Sequence, residues 1–146
     1  MNDFSQKMRA IAQRLSTYEA SGKKDSDDGS PAGFAVCEKL RAPLARLSGV
    51  NGFRSLLSRA LAVAGTEVRW LRKVHVGEDG TIERPEEMEE LDRKEIAAGE
   101  VQVTASLLEL LATFIGEPLT LSLVREVWPN TAIEEIDFTK DDYTLP

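Results

Sequence analysis

Residues 94–115 constrain the fold more than any other part of this chain. Leu107, Leu110, Leu111 and Phe114 recur at helical spacing, and Leu108 and Ile115 widen the face they define. A helix that is apolar on nearly all sides cannot leave one side to water. It is either surrounded by several neighbours or lends one face to a partner. Most of the remaining sequence reads as helices able to cover it, within one domain's length of 146 residues.

Phe4, Met8, Ile11, Leu15 and Tyr18 recur at intervals of 4, 3, 4 and 3, which predicts a helix over residues 3–18 with a narrow apolar seam. Residues 21–31 hold no apolar side chain other than Pro31, too little to offset the entropy of ordering. The expected organisation is therefore a detachable helical arm at 1–20 and a flexible linker at 21–32. A core domain at 33–129 and an acidic tail at 130–146 follow. The arm has two places to dock, its own domain or a partner.

Within the core, Phe34, Cys37, Leu40, Leu44 and Leu47 predict a helix over 33–47, with Pro43 marking a kink or a restart. Ser48-Gly49 ends it. Asn51 is a suitable N-cap for a third helix carrying Phe53, Leu57, Leu61 and Ala64, which either ends with Gly65 as its C-terminal cap or runs on through Val68 and Leu71, which continue the spacing. Residues 73–83 change period: Val74 and Val76, then Gly77-Glu78-Asp79-Gly80, then Thr81 and Ile82 read as a short hairpin that must pack on helices to persist. Residues 85–91 open an acidic turn or short helix, with Asp92 placed to cap the long helix. Gly116 ends that helix. Thr120 is expected to cap a last helix over 121–128, which Pro129 terminates. The fold expected is mainly α: a single domain of five to six helices with a minor β-hairpin near residues 73–83.

Charge divides this chain sharply. Residues 34–76 carry +6, from eight bases against Glu38 and Glu67, whereas residues 77–146 carry −13. The formal total is −7, which repels polyanions and anionic membrane at long range. Arg41, Arg46, Arg54, Arg59, Arg69 and Arg72 all fall on predicted helices, off the apolar stripes. Arginine suits bidentate pairing with carboxylates or phosphates. The economical expectation is that the basic and acidic halves neutralise each other, within one chain or between subunits. The stacking aromatics of a single-strand binder are missing from this stretch.

Candidate chemistry is sparse. His75 is the sole histidine, and nothing in the sequence nominates a group to orient it or a nucleophile within its reach. Cys37, the sole cysteine, lies on an apolar stripe and reads as a buried small hydrophobe. It leaves no internal disulfide and fits a reducing cytoplasm. Glu86, Glu87, Glu89, Glu90 and Asp92 cluster without the Asp/Gly alternation of a calcium loop, and no Glu-x-x-His pair offers a di-metal site. No catalytic, cofactor-binding or metal-ligating residue is therefore expected. The first residues lack an apolar h-region, and no stretch of about 18 apolar residues is free of charge.

Residues 108–128 are laid out like a helix-turn-helix, with Gly116 at the turn. The would-be reading helix offers one base, Arg125, with Glu126 beside it, so nucleic acid is disfavoured as a partner. The same region, with Phe114-Ile115-Gly116-Glu117-Pro118-Leu119-Thr120-Leu121 and Val124-Arg125-Glu126-Val127-Trp128-Pro129, resembles a motif in a group of small uncharacterised bacterial helical proteins. Residues 34–61, with Cys37-Glu38-Lys39-Leu40-Arg41, are similar to the same group. The resemblance covers about half of the chain. It implies a bacterial origin and a helix–turn–helix used for packing, and it supplies no activity or site.

The function expected is that of a non-enzymatic bacterial regulatory or protein-interaction module, cytoplasmic, with a protein partner or a second copy of itself. Docking would use the apolar seam of Phe4, Met8, Ile11 and Leu15 and the basic face of Arg41, Arg46, Arg54 and Arg59. The alternatives are a winged-helix DNA-binding regulator and an enzyme whose site is assembled from scattered carboxylates and arginines.

Overall fold

The apolar helix that dominates the sequence pattern is also the axis of the structure. A computed structural model describes residues 3–22, 34–83, 85–86, 90–129 and 131, without the side chains at 3, 4 and 20–22. Helix α3 (Arg93–Ile115) is packed by α1 (Asp3–Gly22), α2 (Ala35–Ala64) and α4 (Glu117–Val127). Its buried residues include Ile96, Gly99, Val101, Val103, Leu107, Leu108 and Leu111, which cover more than half of the helix circumference. Among the described residues α3 is also the one helix long and apolar enough to cross a membrane by length and composition. Three covering helices account for that apolarity, since 61% of the stretch is buried inside the domain. Its start is fixed locally by a capping box. Asp92 accepts a hydrogen bond from the Glu95 amide at 2.9 Å, and Glu95 accepts one from the Asp92 amide at 3.1 Å.

The expected mainly α class holds, but four α-helices are present among the described residues instead of five to six. The two helices expected over 33–47 and from 51 onward are joined as α2. The chain breaks within it at Gly49 (φ 82°, ψ 161°), not at Pro43. Pro43 removes one hydrogen bond yet keeps helical torsions, whereas Gly49 adopts a backbone state that side chains forbid. Residues 85–91, the other expected short helix, lie partly outside the described residues.

Helix α4 also starts earlier than expected. Gly116 (φ 95°) ends α3 and turns the chain in one residue, so α4 opens at Glu117 with Pro118 in its first turn. Thr120 is fully buried instead of capping, and its hydroxyl donates to the Gly116 carbonyl at 2.8 Å. Gly65 closes α2 in an ordinary right-handed conformation (φ −64°) and leads into a 3-10 turn, Arg69–Lys73.

The hairpin forms as expected: β1 (His75–Val76) pairs antiparallel with β2 (Ile82–Glu83), His75 opposite Glu83 and Val76 opposite Ile82. Its turn is closed by Gly77 donating to the Thr81 carbonyl (2.7 Å) and by Asp79, which accepts from the Thr81 amide and hydroxyl. Gly80 (φ 89°) sits so close to α2 that a Cβ there would lie 3.0 Å from the Phe53 ring and 3.2 Å from Arg41 Cδ. A second close approach seats the 3-10 turn. The Trp70 ring covers Gly99 of α3, where a Cβ would fall 2.4 Å from Trp70 Cζ2, and it meets Phe34 at a centroid distance of 6.3 Å.

Candidate functional site

The residues expected to carry interaction fall into two groups with different surroundings. Met8, Ile11 and Leu15 lie on the inner face of α1 and are 0–1% exposed in the common core with α3. Phe4 lies in α1, and its side chain is outside the described residues. The seam expected on a detachable arm is therefore occupied in cis. Polar bonds secure the same docking: Lys7 pairs with Glu117, Arg9 Nη1 donates to Gln102 at 2.7 Å, and Arg14 Nη1 donates to the Thr131 carbonyl at 3.1 Å.

The arginines of α2 lie on the outside. Arg41 is half-buried under the hairpin turn and pairs with Glu38 one turn earlier at 3.7 Å. The Asp79 carboxyl beside it is held below the usual carboxylate range, first by its hydrogen bonds from Thr81 and then by the Arg41 charge. Arg46 and Arg59 are exposed. Arg54 reaches Asn51 Oδ1 at 3.4 Å, while its Nε is buried without an acceptor. Among the described residues none of Arg46, Arg54 and Arg59 has a carboxylate partner. Lys39 pairs with Glu19 at 2.6 Å, and that acid comes from α1, not from the acidic half. The expected neutralisation of the basic stretch by residues 77–146 does not extend to these three arginines within the described residues.

Apolar side chains are interleaved with them. Around the break at Gly49, Leu47 (55% exposed) and Val50 (46%) are exposed close in sequence to Arg46, and Val63 (47%) follows one turn after Arg59. Residues 46–63 thus present an outer strip of α2 that bends at Gly49 and wraps around the exposed side of the helix. It combines guanidinium forks with aliphatic side chains that no part of the described domain covers. The sequence pointed to the arginines through the charge split. It gave no warning that Leu47 and Val50 face outward, because Leu47 continues the buried stripe of Leu40 and Leu44. Residues 46–50 are all exposed, so the end of this half of α2 runs past the cover that buries Leu44.

Two open clefts flank the 3-10 turn and share Arg72, whose Nε donates to the Gly65 carbonyl at 2.9 Å. One, of about 550 Å³, is lined by Ser58, Leu61, Ala62, Leu71 and His75. Ser58 and His75 share it with no hydrogen bond between them and no carboxylate bonded to the imidazole among the described residues. The other, of about 610 Å³, sets Arg69, Arg72 and Lys73 around Trp70 and Leu91, with Glu90 and Glu95 also on its lining. Cys37 is remote from water. Burial pushes its thiol up to about 12, against a lowering contact with Thr104 Oγ1 at 3.9 Å and with smaller raising contributions from Glu100 and Glu38. Such a thiol is not a nucleophile at neutral pH. Among the described residues no group of three His, Cys, Asp or Glu side chains is placed to hold a metal ion.

The outer face of α4 exposes Ser122, Arg125 and Glu126, while Thr120, Leu123 and Val124 are buried. Its single base beside an acid is a poor match to phosphates and base edges. Compared with protein-family models, curated proteins and solved structures, the chain matches none.

Proposed function

We propose that this protein is a non-enzymatic interaction module of a bacterial cytoplasm, and that the outer strip of α2 is its docking surface. The observation that carries this reading is the set Arg46, Arg54 and Arg59, without carboxylate partners among the described residues, interleaved with exposed Leu47, Val50 and Val63. The complementary partner is a protein segment that alternates carboxylates with apolar side chains. The guanidinium forks would orient it through paired hydrogen bonds and accelerate its approach, and the aliphatic side chains would supply the buried area. The buried, unreactive Cys37 suits a reducing compartment.

Capture from source-cell lysate tests this reading with wild type and with an Arg46→Glu/Arg54→Glu/Arg59→Glu variant, each with and without nuclease. The expected result is a stoichiometric protein that survives nuclease and is lost with the variant. Nucleic acid as the captured species, or capture indifferent to the three reversals, overturns it.

A further inference from the structure

We propose that the open cleft between α2, the 3-10 turn and β1 binds a small aliphatic carboxylate, with Arg72 as the group that holds its head. The site uses none of the arginines assigned to docking. Its construction begins at Gly65, the residue after α2. That glycine has an ordinary backbone conformation (φ −64°), so no torsion requires it. Space does. A Cβ there would stand 3.0 Å from Arg72 Cγ and 3.1 Å from the Leu61 carbonyl oxygen. The missing side chain lets the arginine stem lie against the end of the helix, where Nε donates to the Gly65 carbonyl at 2.9 Å. Stem and Nε are both held, so the guanidinium is in place before a ligand arrives. Among the described residues Arg72 has no carboxylate partner. With Nε engaged, the paired Nη groups form the edge left for a planar acceptor with two oxygens, and a carboxylate matches that fork.

Arg72 borders two clefts, and their linings differ in the charge they accept. The cleft toward Trp70 also carries Glu90 and Glu95, which repel a carboxylate and compete for the guanidinium. No acid lines the other cleft among the described residues. Glu83 stands opposite His75 in the hairpin, but its Oε2 lies against Gly77, 3.1 Å from where a Cβ would be. Ser58 and His75 add polar side chains to the lining, and neither is hydrogen-bonded among the described residues. The floor is Leu61, Leu71 and Val74, all buried. It has no aromatic face for a ring to stack on, so the body it suits is a saturated chain. A phosphate dianion would call for more than the single anchored cation on this lining. The volume of about 550 Å³ falls within the range of small-molecule sites.

The test is a titration of the isotope-labelled full chain with sodium hexanoate, followed through amide chemical shifts. Hexanol and inorganic phosphate serve as controls for the chain alone and the charge alone. Saturable shifts should centre on residues 58–62 and 71–76, at lower concentrations of hexanoate than of either control. Arg72→Gln should weaken hexanoate binding about tenfold or more, since it removes a charge-assisted pair of hydrogen bonds. Arg72→Lys keeps the charge, loses the fork and should also weaken binding. Gly65→Ala should do the same by displacing the stem. Lys73→Gln, on the neighbouring cleft, should leave binding unchanged. The remaining amide signals of each variant report whether it is folded. Four results each overturn the assignment: no saturable shift, shifts centred on another surface, an equal response to hexanol or to phosphate, and hexanoate affinity indifferent to Arg72→Gln.

Discussion

Glu19 shows how much one residue can organise. It is buried in α1, accepts a hydrogen bond from Trp128 Nε1 at 2.8 Å, and pairs with Lys39 of α2 at 2.6 Å. One carboxylate thus ties two helices to the chain after α4, and it satisfies an indole N–H that would otherwise be buried unpaired. The sequence could not announce this, since Glu19 and Trp128 are 109 positions apart. Cys37 was legible, because its place on the stripe with Phe34 and Leu40 already put it in the core. Its burial carries a pH consequence. In the unfolded chain the thiol releases its proton from about 9.0, in the native protein only near 12, so between these values the unfolded state binds fewer protons. Native stability therefore falls as pH rises from about 9 toward 12, and the thiol contributes no pH dependence below that window. Urea midpoints at pH 8 and pH 10.5 should drop more for wild type than for Cys37→Ala. Equal drops would mean the thiol ionises as freely in the folded protein as in the unfolded one.

At the level of elements, the interior of each helix was legible and the joints were not. The stripes of α1 and α3 and the cap at Asp92 came directly from spacing and residue type. The hairpin came from a change of period around Gly77-Glu78-Asp79-Gly80. The joint between the two halves of α2 looked like a boundary between separate helices, with Pro43 a second candidate for a bend. The structure bends at Gly49 and keeps Pro43 inside a regular helix. Both residues carry local costs, and tertiary packing of Leu44 and Phe53 on the same core decides which of them yields. Gly49 has open space around its Cα, so the cost of a side chain there is conformational only. Gly49→Ala should lower stability by about 2 kcal/mol, the strain of a backbone region reserved for glycine. Chemical denaturation measures it, and a loss well under 1 kcal/mol would mean that the backbone relaxes out of the positive-φ state at this position.

For the whole molecule, the decisive fact is that α1 belongs to the core. A seam of Phe4, Met8, Ile11, Leu15 and Tyr18 is equally good for covering a neighbour in the same chain or in another, and the polar residues 21–31 set no preference. In the fold, α1 packs against α3 in the same core as α2 and α4, with Met8, Ile11 and Leu15 buried there. Leu15→Ala should therefore cost about 2–5 kcal/mol, the range for a fully enclosed leucine, with a corresponding fall in thermal midpoint. A change of less than about 1 kcal/mol would restore the picture of an arm that detaches at little cost.

Periodicity and charge are properties of neighbouring residues, and the sequence alone determined what depends on them. These are the mainly α class, the central place of residues 94–115, the small hairpin and the basic stretch that contains the candidate surface. Tertiary structure decided what depends on residues far apart: that α1 covers α3 in cis, that Glu19 meets Trp128, and that three arginines stay without described carboxylates despite an excess of acid in the same chain. The physical reason is that a periodic pattern records how strongly a face seeks cover, whereas the choice among covers of equal chemistry is made by shape and connectivity when the helices close around one axis.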